Sequence, residues 1–95
     1  MPEYKIIYNS ESSHWYRSDG RNRLLIETVC ELVNSELCER GYVYAKEIYD
    51  ILDVRWDDEQ ENTCYKIDEH NSIELLISEI DPYVYEITLR AHCIN

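Results

Sequence analysis

Apolar and polar positions alternate early in the chain and then change period. From Glu3 to Tyr8, Tyr4, Ile6 and Tyr8 share one face while Lys5 and Ile7 share the other, which predicts a short strand. Residues 9–20 are rich in Ser, Asn, Asp and Gly and read as a loop. The loop's His14-Trp15-Tyr16 centre is too aromatic for a spacer. It either packs back on the core or presents an exposed contact. Over residues 21–40, Leu25, Val29, Leu32, Val33 and Leu37 recur at helical spacing. Asp19 or Asn22 is placed to cap this helix, and Gly41 follows where a left-handed glycine ends one. Glu36 precedes Arg40 by four residues, the favourable order for an ion pair. Glu27 and Glu31 place like charges on one edge. A shorter helix over residues 44–52 carries Ile48, Ile51 and Leu52 on its apolar face.

Residues 53–62, DVRWDDEQEN, form an acidic loop with no core-forming pattern. The last third reads as extended. Thr63 to Ile67 is a strand, Asp68 to Asn71 a turn, and Ser72 to Ile77 a second strand with reach to Ile80. Pro82 then marks a turn. Tyr83 to Cys93 alternates best, with Tyr83, Tyr85, Ile87, Leu89, Ala91 and Cys93 on one face. Short connections predict an antiparallel β-meander over 63–93, with the N-terminal strand as a candidate fourth member. The expected fold is α+β, one domain over residues 1–95. A two-helix hairpin packs on one face of a three- or four-stranded antiparallel sheet.

Composition sharpens this picture. Nine Lys plus Arg stand against twenty Asp plus Glu, a formal net charge of −11. That balance excludes nucleic-acid binding through an overall positive field and argues against an anionic membrane surface. A hydrophobic fraction of 44% is too high for a disordered acidic tail. The first residues lack a basic stretch followed by an apolar run, and no apolar segment is long enough to span a bilayer. A cytoplasmic protein is expected. Cys30, Cys38, Cys64 and Cys93 are then reduced and mostly buried.

Candidate chemistry is sparse. There is no CxxC, HxxxH or HExxH, and His92 and Cys93, adjacent on a strand, point to opposite faces. Neither a metal nor a cofactor is expected. Cys64 and His70, with Asp68 near, come closest to a nucleophile–base pair, without further support. Gly20 and Gly41 are the only glycines, so no glycine-rich phosphate loop exists. A DNA-reading second helix would offer Lys46 against Glu47 and Asp50, which disfavours it. The chain is read as a non-enzyme.

Nine Tyr and two Trp accompany no Phe. Tyrosines can replace Phe in a core with their hydroxyls at its boundary, or build a contact surface. Trp15, Tyr16 and Trp56 are the candidate anchors of such a surface, and Asp57, Asp58, Glu59 and Glu61 its charge. Carboxylates two apart on an extended chain lie roughly 6.5 Å apart, and those four apart on a helix roughly 6 Å. Asp57 with Glu59 and Glu61, and Glu27 with Glu31, thus approach the repeat of a phosphate backbone.

The segment from Arg40 to Leu52, RGYVYAKEIYDIL, resembles a pattern in small proteins of Gram-positive bacteriophages. There a long helix ends at a Gly-Tyr-Val turn, and a short helix and a β-meander follow. The likeness covers Leu24 to about Leu89. After Leu52 the chain departs from the pattern, with an acidic loop in place of Gly-Leu and Gly-Trp signals. The resemblance implies a phage or mobile-element origin and no particular activity. Inhibitors of host defence, anti-CRISPR proteins among them, are found in that class.

The expected function is non-enzymatic. An acidic interaction protein would inhibit a basic nucleic-acid-handling host protein, such as a CRISPR effector or nuclease, by masking its nucleic-acid site in the host cytoplasm. A phage assembly protein that forms homo-oligomers and an antitoxin of a basic nuclease are the alternatives.

Overall fold

The computed structural model describes residues 3–94. Along the chain run β1 (Tyr4–Tyr8), α1 (Asp19–Arg40), β2 (Tyr42–Tyr44), α2 (Ala45–Leu52), α3 (Asp58–Glu61), β3 (Cys64–Lys66), β4 (His70–Asp81) and β5 (Val84–Cys93). The class is α+β. A three-stranded antiparallel sheet has the order β1-β5-β4, and β2 and β3 form a separate antiparallel ribbon.

The best-alternating strand is the central one. Tyr85, Ile87 and Leu89 of β5 lie opposite Tyr8, Ile6 and Tyr4 of β1, and Ile87 and Leu89 also lie opposite Ile77 and Leu75 of β4. The period of two turns these residues toward the helices, and most are buried. On the other face, Lys5 donates to Thr88 Oγ1 at 2.8 Å and Arg90 meets Glu3 at 2.5 Å. His92 pairs there with Glu74 across the strands. Ile7 and Leu76 remain exposed on that face.

Of the expected meander over 63–93, the β4–β5 pair forms and β1 joins the same sheet, but β3 does not. β3 pairs with β2, in the register Val43↔Tyr65, and leaves β4 unpaired on its outer side. Residues 42–44, read as a link and a helix start, are therefore extended. Backbone bonds at both ends fix the ribbon: Ile67 N–H donates to Gly41 O and Ala45 N–H to Thr63 O, each at 2.9 Å. Val43 and Tyr65 are buried as a cross-strand pair, which gives the ribbon a core face.

Helix α1 buries a stripe different from the expected one. Ile26, Val29, Val33 and Leu37 face the sheet with Asn22, whereas Leu32 points to solvent and Leu25 is half-buried. The buried set steps by three, four and four, a closer match to the 3.6-residue turn. Its N-cap is Ser18, whose Oγ accepts from Arg21 N–H at 3.4 Å, not Asp19 or Asn22. Ser18 is extended and places its oxygen over the first turn, while Asn22 is needed inside. Gly41 has φ 86°, and its N–H donates to Leu37 O at 2.9 Å, closing the helix as expected.

Several tyrosines lie deeper than the boundary. Tyr85 is fully buried, yet its hydroxyl reaches Asp19 Oδ1 at 2.8 Å. That donation holds the Asp19 carboxyl below its ordinary value. A carboxyl lowered in the folded state contributes stability above its unfolded pKa, about 4, and loses it as pH falls through the folded value. Asp19→Asn should therefore flatten the acid limb of the stability profile below about pH 4, read by urea unfolding across pH.

Among the described residues, Tyr65 has no partner for its hydroxyl, nor has the neighbouring His70 for Nδ1; the two rings meet edge to face at 5.7 Å. Burial pushes the Tyr65 phenol up. Tyr65→Phe removes an unsatisfied polar atom without changing ring packing, so it should raise the unfolding free energy by about 1 kcal/mol. A urea midpoint below the wild-type value would contradict this.

The four cysteines are unpaired. Cys38 and Cys93 are exposed, against the expectation of mostly buried thiols. Among the described residues, no helix is long and apolar enough to cross a membrane.

Candidate interaction surface

The segment after α2 is shaped by the end of that helix. Asp53 adopts φ 54° and its N–H donates to Asp50 O at 3.0 Å, which stops α2. The chain doubles back, and Trp56 Nε1 donates to Asp50 Oδ1 at 2.7 Å. Trp56 is 37% exposed. It is thus an anchored ring with an open side.

Residues 53–62 are not wholly a loop, as α3 occupies Asp58–Glu61. Asp57 is its N-cap, accepting from Glu59 N–H at 2.9 Å, while Gln60 Oε1 accepts from Asp57 N–H at 3.0 Å. Gln60 is buried as well as bonded in this reciprocal pair, an exception to a segment read as wholly outside the core. Acids in the first turn of a helix also meet its positive end, which favours the turn. Asp57 is therefore partly structural, whereas Asp58, Glu59 and Glu61 are exposed carboxylates. Burial first, and then the charges of Tyr4, Asp57 and Glu59, push the Tyr49 phenol up to about 12.

Two tyrosines extend the surface. Tyr42 and Tyr44, 41% and 37% exposed, meet edge to face at 6.0 Å on the outer side of β2. Arg40 lies 4.6 Å from the Tyr42 ring centre and pairs with Glu47 at 2.6 Å. Lys46 Nζ lies 6.0 Å from the Tyr44 ring, 5.6 Å from the Trp56 ring and 3.9 Å from Glu61. Lys46 thereby links Tyr44 to Trp56, and Tyr42 extends the row through Tyr44, with carboxylates at its margin. Tyr42 and Tyr44 were not among the candidate anchors. The signal for them is the Tyr-Val-Tyr alternation just after a helix-ending glycine, which exposes two rings around one buried Val43.

Trp15 and Tyr16 lie elsewhere. Trp15 is half-buried, and its Nε1 donates to Tyr83 O at 2.7 Å. Its ring meets Tyr83 edge-on at 6.4 Å. Tyr83 has φ 61° in the turn after Pro82, a value bulky residues rarely adopt, so Trp15 buttresses a strained turn. Of the two readings of the aromatic loop, packing back thus applies to Trp15. Exposure applies to Tyr16, which is 53% exposed under Arg21. Among the described residues, no hydrogen bond, ion pair or ring contact links Trp15 or Tyr16 to Trp56, Asp57, Asp58, Glu59 or Glu61.

Cys64 and His70 share no hydrogen bond among the described residues, and the His70 ring packs on Tyr65. No group of three or more His, Cys, Asp or Glu among them could hold a metal ion. Comparison with known proteins gives no match to a family model, a curated protein or a solved structure.

Proposed function

We propose that this chain is an acidic interaction protein that inhibits a basic nucleic-acid-handling protein by covering its nucleic-acid site. The supporting observation is the anchored, half-open Trp56, which shares Lys46 with Glu61 and precedes the exposed Asp58 and Glu59 in the chain, continued by Tyr44 and Tyr42. Aromatic anchors with a charged margin are how compact interfaces concentrate their energy. The carboxylates supply steering toward a positive groove, and the net charge of −11 extends that field. The phage-like segment at residues 40–52 directs the reading to a bacterial host nuclease or CRISPR effector.

Capture from a bacterial lysate, followed by competition with duplex DNA, tests it. The reading expects a basic nucleic-acid-binding protein to be captured, to be released by DNA, and to dissociate with rising salt. Capture indifferent to DNA, or a stable homo-oligomer without affinity for basic proteins, would replace it with the assembly reading.

A further inference from the structure

Strand β4 ends the three-stranded sheet, and one contact reveals how its free edge is oriented. Ile73 N–H donates to Asn34 Oδ1, and Ile73 O accepts from Asn34 Nδ2, both at 2.8 Å. Asn34 belongs to α1, so Ile73 turns its backbone groups away from β5. In an antiparallel ladder, alternate residues share that direction. The register runs unshifted from Ser72 to Glu79, so Leu75 and Ile77 also turn N–H and C=O outward. Among the described residues, neither has a partner on that side. Asn34 occupies the edge at Ile73, and the irregularity between Glu79 and Asp81 ends it. The open stretch is Leu75 to Glu79.

Helix α1 flanks this edge. Asn34 meets Ile73, and Asp19 at the other helix end meets Tyr85, the residue paired with Glu79. Helix and strand therefore run antiparallel. Glu31 and Glu27 lie on the stripe of Asn34, roughly 4.5 and 10.5 Å toward the helix start. At about 3.4 Å per strand residue, they stand at the level of Glu74 and of Leu76, within about one residue of Leu75 and Ile77. Both are exposed, and neither is in an ion pair among the described residues.

We infer that the β4 edge accepts a short extended segment of a partner as a fourth strand. That segment carries Lys or Arg opposite Leu75 and Ile77, and an apolar residue opposite Leu76. Residues opposite one another in a sheet share a face, so the two basic side chains lie on the α1 side, toward Glu31 and Glu27. The residue between them lies on the outer face, beside Leu76, which is 39% exposed. Main-chain bonds supply affinity and the alternating side chains supply selectivity, as in other strand additions. A second copy is a poor occupant. Two-fold pairing of β4 edges would set Glu27 and Glu31 of both helices face to face, on chains each carrying −11. The proposal does not depend on the Trp56–Glu61 surface, none of whose residues takes part.

A peptide of about seven residues alternating Lys and Val, blocked at both ends, is titrated into the full chain and followed by amide chemical shifts. Shifts at Leu75 and Ile77 are expected. The same peptide with N-methylated Lys amides should bind at least about tenfold more weakly, since the donors to the edge are gone. The exposed double variant Glu27→Lys with Glu31→Lys should weaken binding about tenfold or more. Equal binding of the N-methylated peptide would reduce the effect to surface charge and overturn the proposal. An unaffected Glu27/Glu31 variant would place the strand on another edge, such as that of β1, and would also overturn it. So would a sedimenting dimer lost on Ile77→Pro. Reversing Asp58, Glu59 and Glu61 should leave peptide binding in place, which separates this edge from the surface proposed above.

Discussion

Asn22→Ala should lower the unfolding free energy by about 2–4 kcal/mol and loosen the loop before α1. Asn22 is fully buried in the first turn of that helix. Its Oδ1 accepts from Tyr16 N–H at 3.0 Å, and its Nδ2 donates to Tyr16 O at 2.6 Å and to the Tyr85 hydroxyl at 3.4 Å. One amide thus satisfies both backbone groups of Tyr16 and touches the central strand. Truncation leaves those groups unpaired and opens a small void, and the two costs add. Asn22→Leu should not rescue the protein, because it restores volume without the bonds. Asn22→Asp keeps the acceptor for Tyr16 N–H but sets a carboxylate against Tyr16 O. Urea unfolding gives the energies, and hydrogen exchange at Tyr16 gives the local loosening. Wild-type stability in Asn22→Leu would show that the site needs only volume.

Reversing Asp58, Glu59 and Glu61 to Lys should weaken association with a basic target about a hundredfold at low salt. Each reversal adds two charges, so the net charge moves from −11 to −5. A like charge set against a basic groove costs several kcal/mol, and about 2.7 kcal/mol corresponds to that factor. Asp57 is left in place because it caps α3, and its loss would confuse folding with binding. The wild-type and variant affinities should converge as salt is raised, because exposed charges are screened beyond about 10 Å at 0.1 M. Trp56→Ala removes the ring without changing charge. It should weaken binding by about 2 kcal/mol at every salt concentration, as a central anchor does. Binding of the triple variant equal to wild type at physiological salt would end the masking proposal.

Elements set by local pattern were legible in the chain. The alternation of Tyr85, Ile87 and Leu89 foretold the inner face of the central strand. Gly41 foretold the end of α1, since few other residues accept φ 86° there. The acidic balance needed no structure at all. Trp56 and the acids after it were also visible, as an aromatic next to a charge run.

Partner choice was another matter. A period of two tells which side chains share a face, but not which strand lies alongside. β3 has only three residues, too few to state a preference, and the bonds at Gly41 and Thr63 awarded it to β2. That choice exposed Tyr42 and Tyr44 beside Trp56 and left β4 with an open edge. Trp15 and Trp56 look alike in sequence, each an aromatic in a polar segment. Trp15 is turned inward by the carbonyl of Tyr83, 68 residues away along the chain, and Trp56 is held at the surface by Asp50. Local pattern and total charge were fixed by the sequence alone, because they depend on neighbours within a turn or a pleat. The strand pairing, the aromatic row and the free edge were decided only in the folded chain, where distant groups compete for the same hydrogen bonds and the same core.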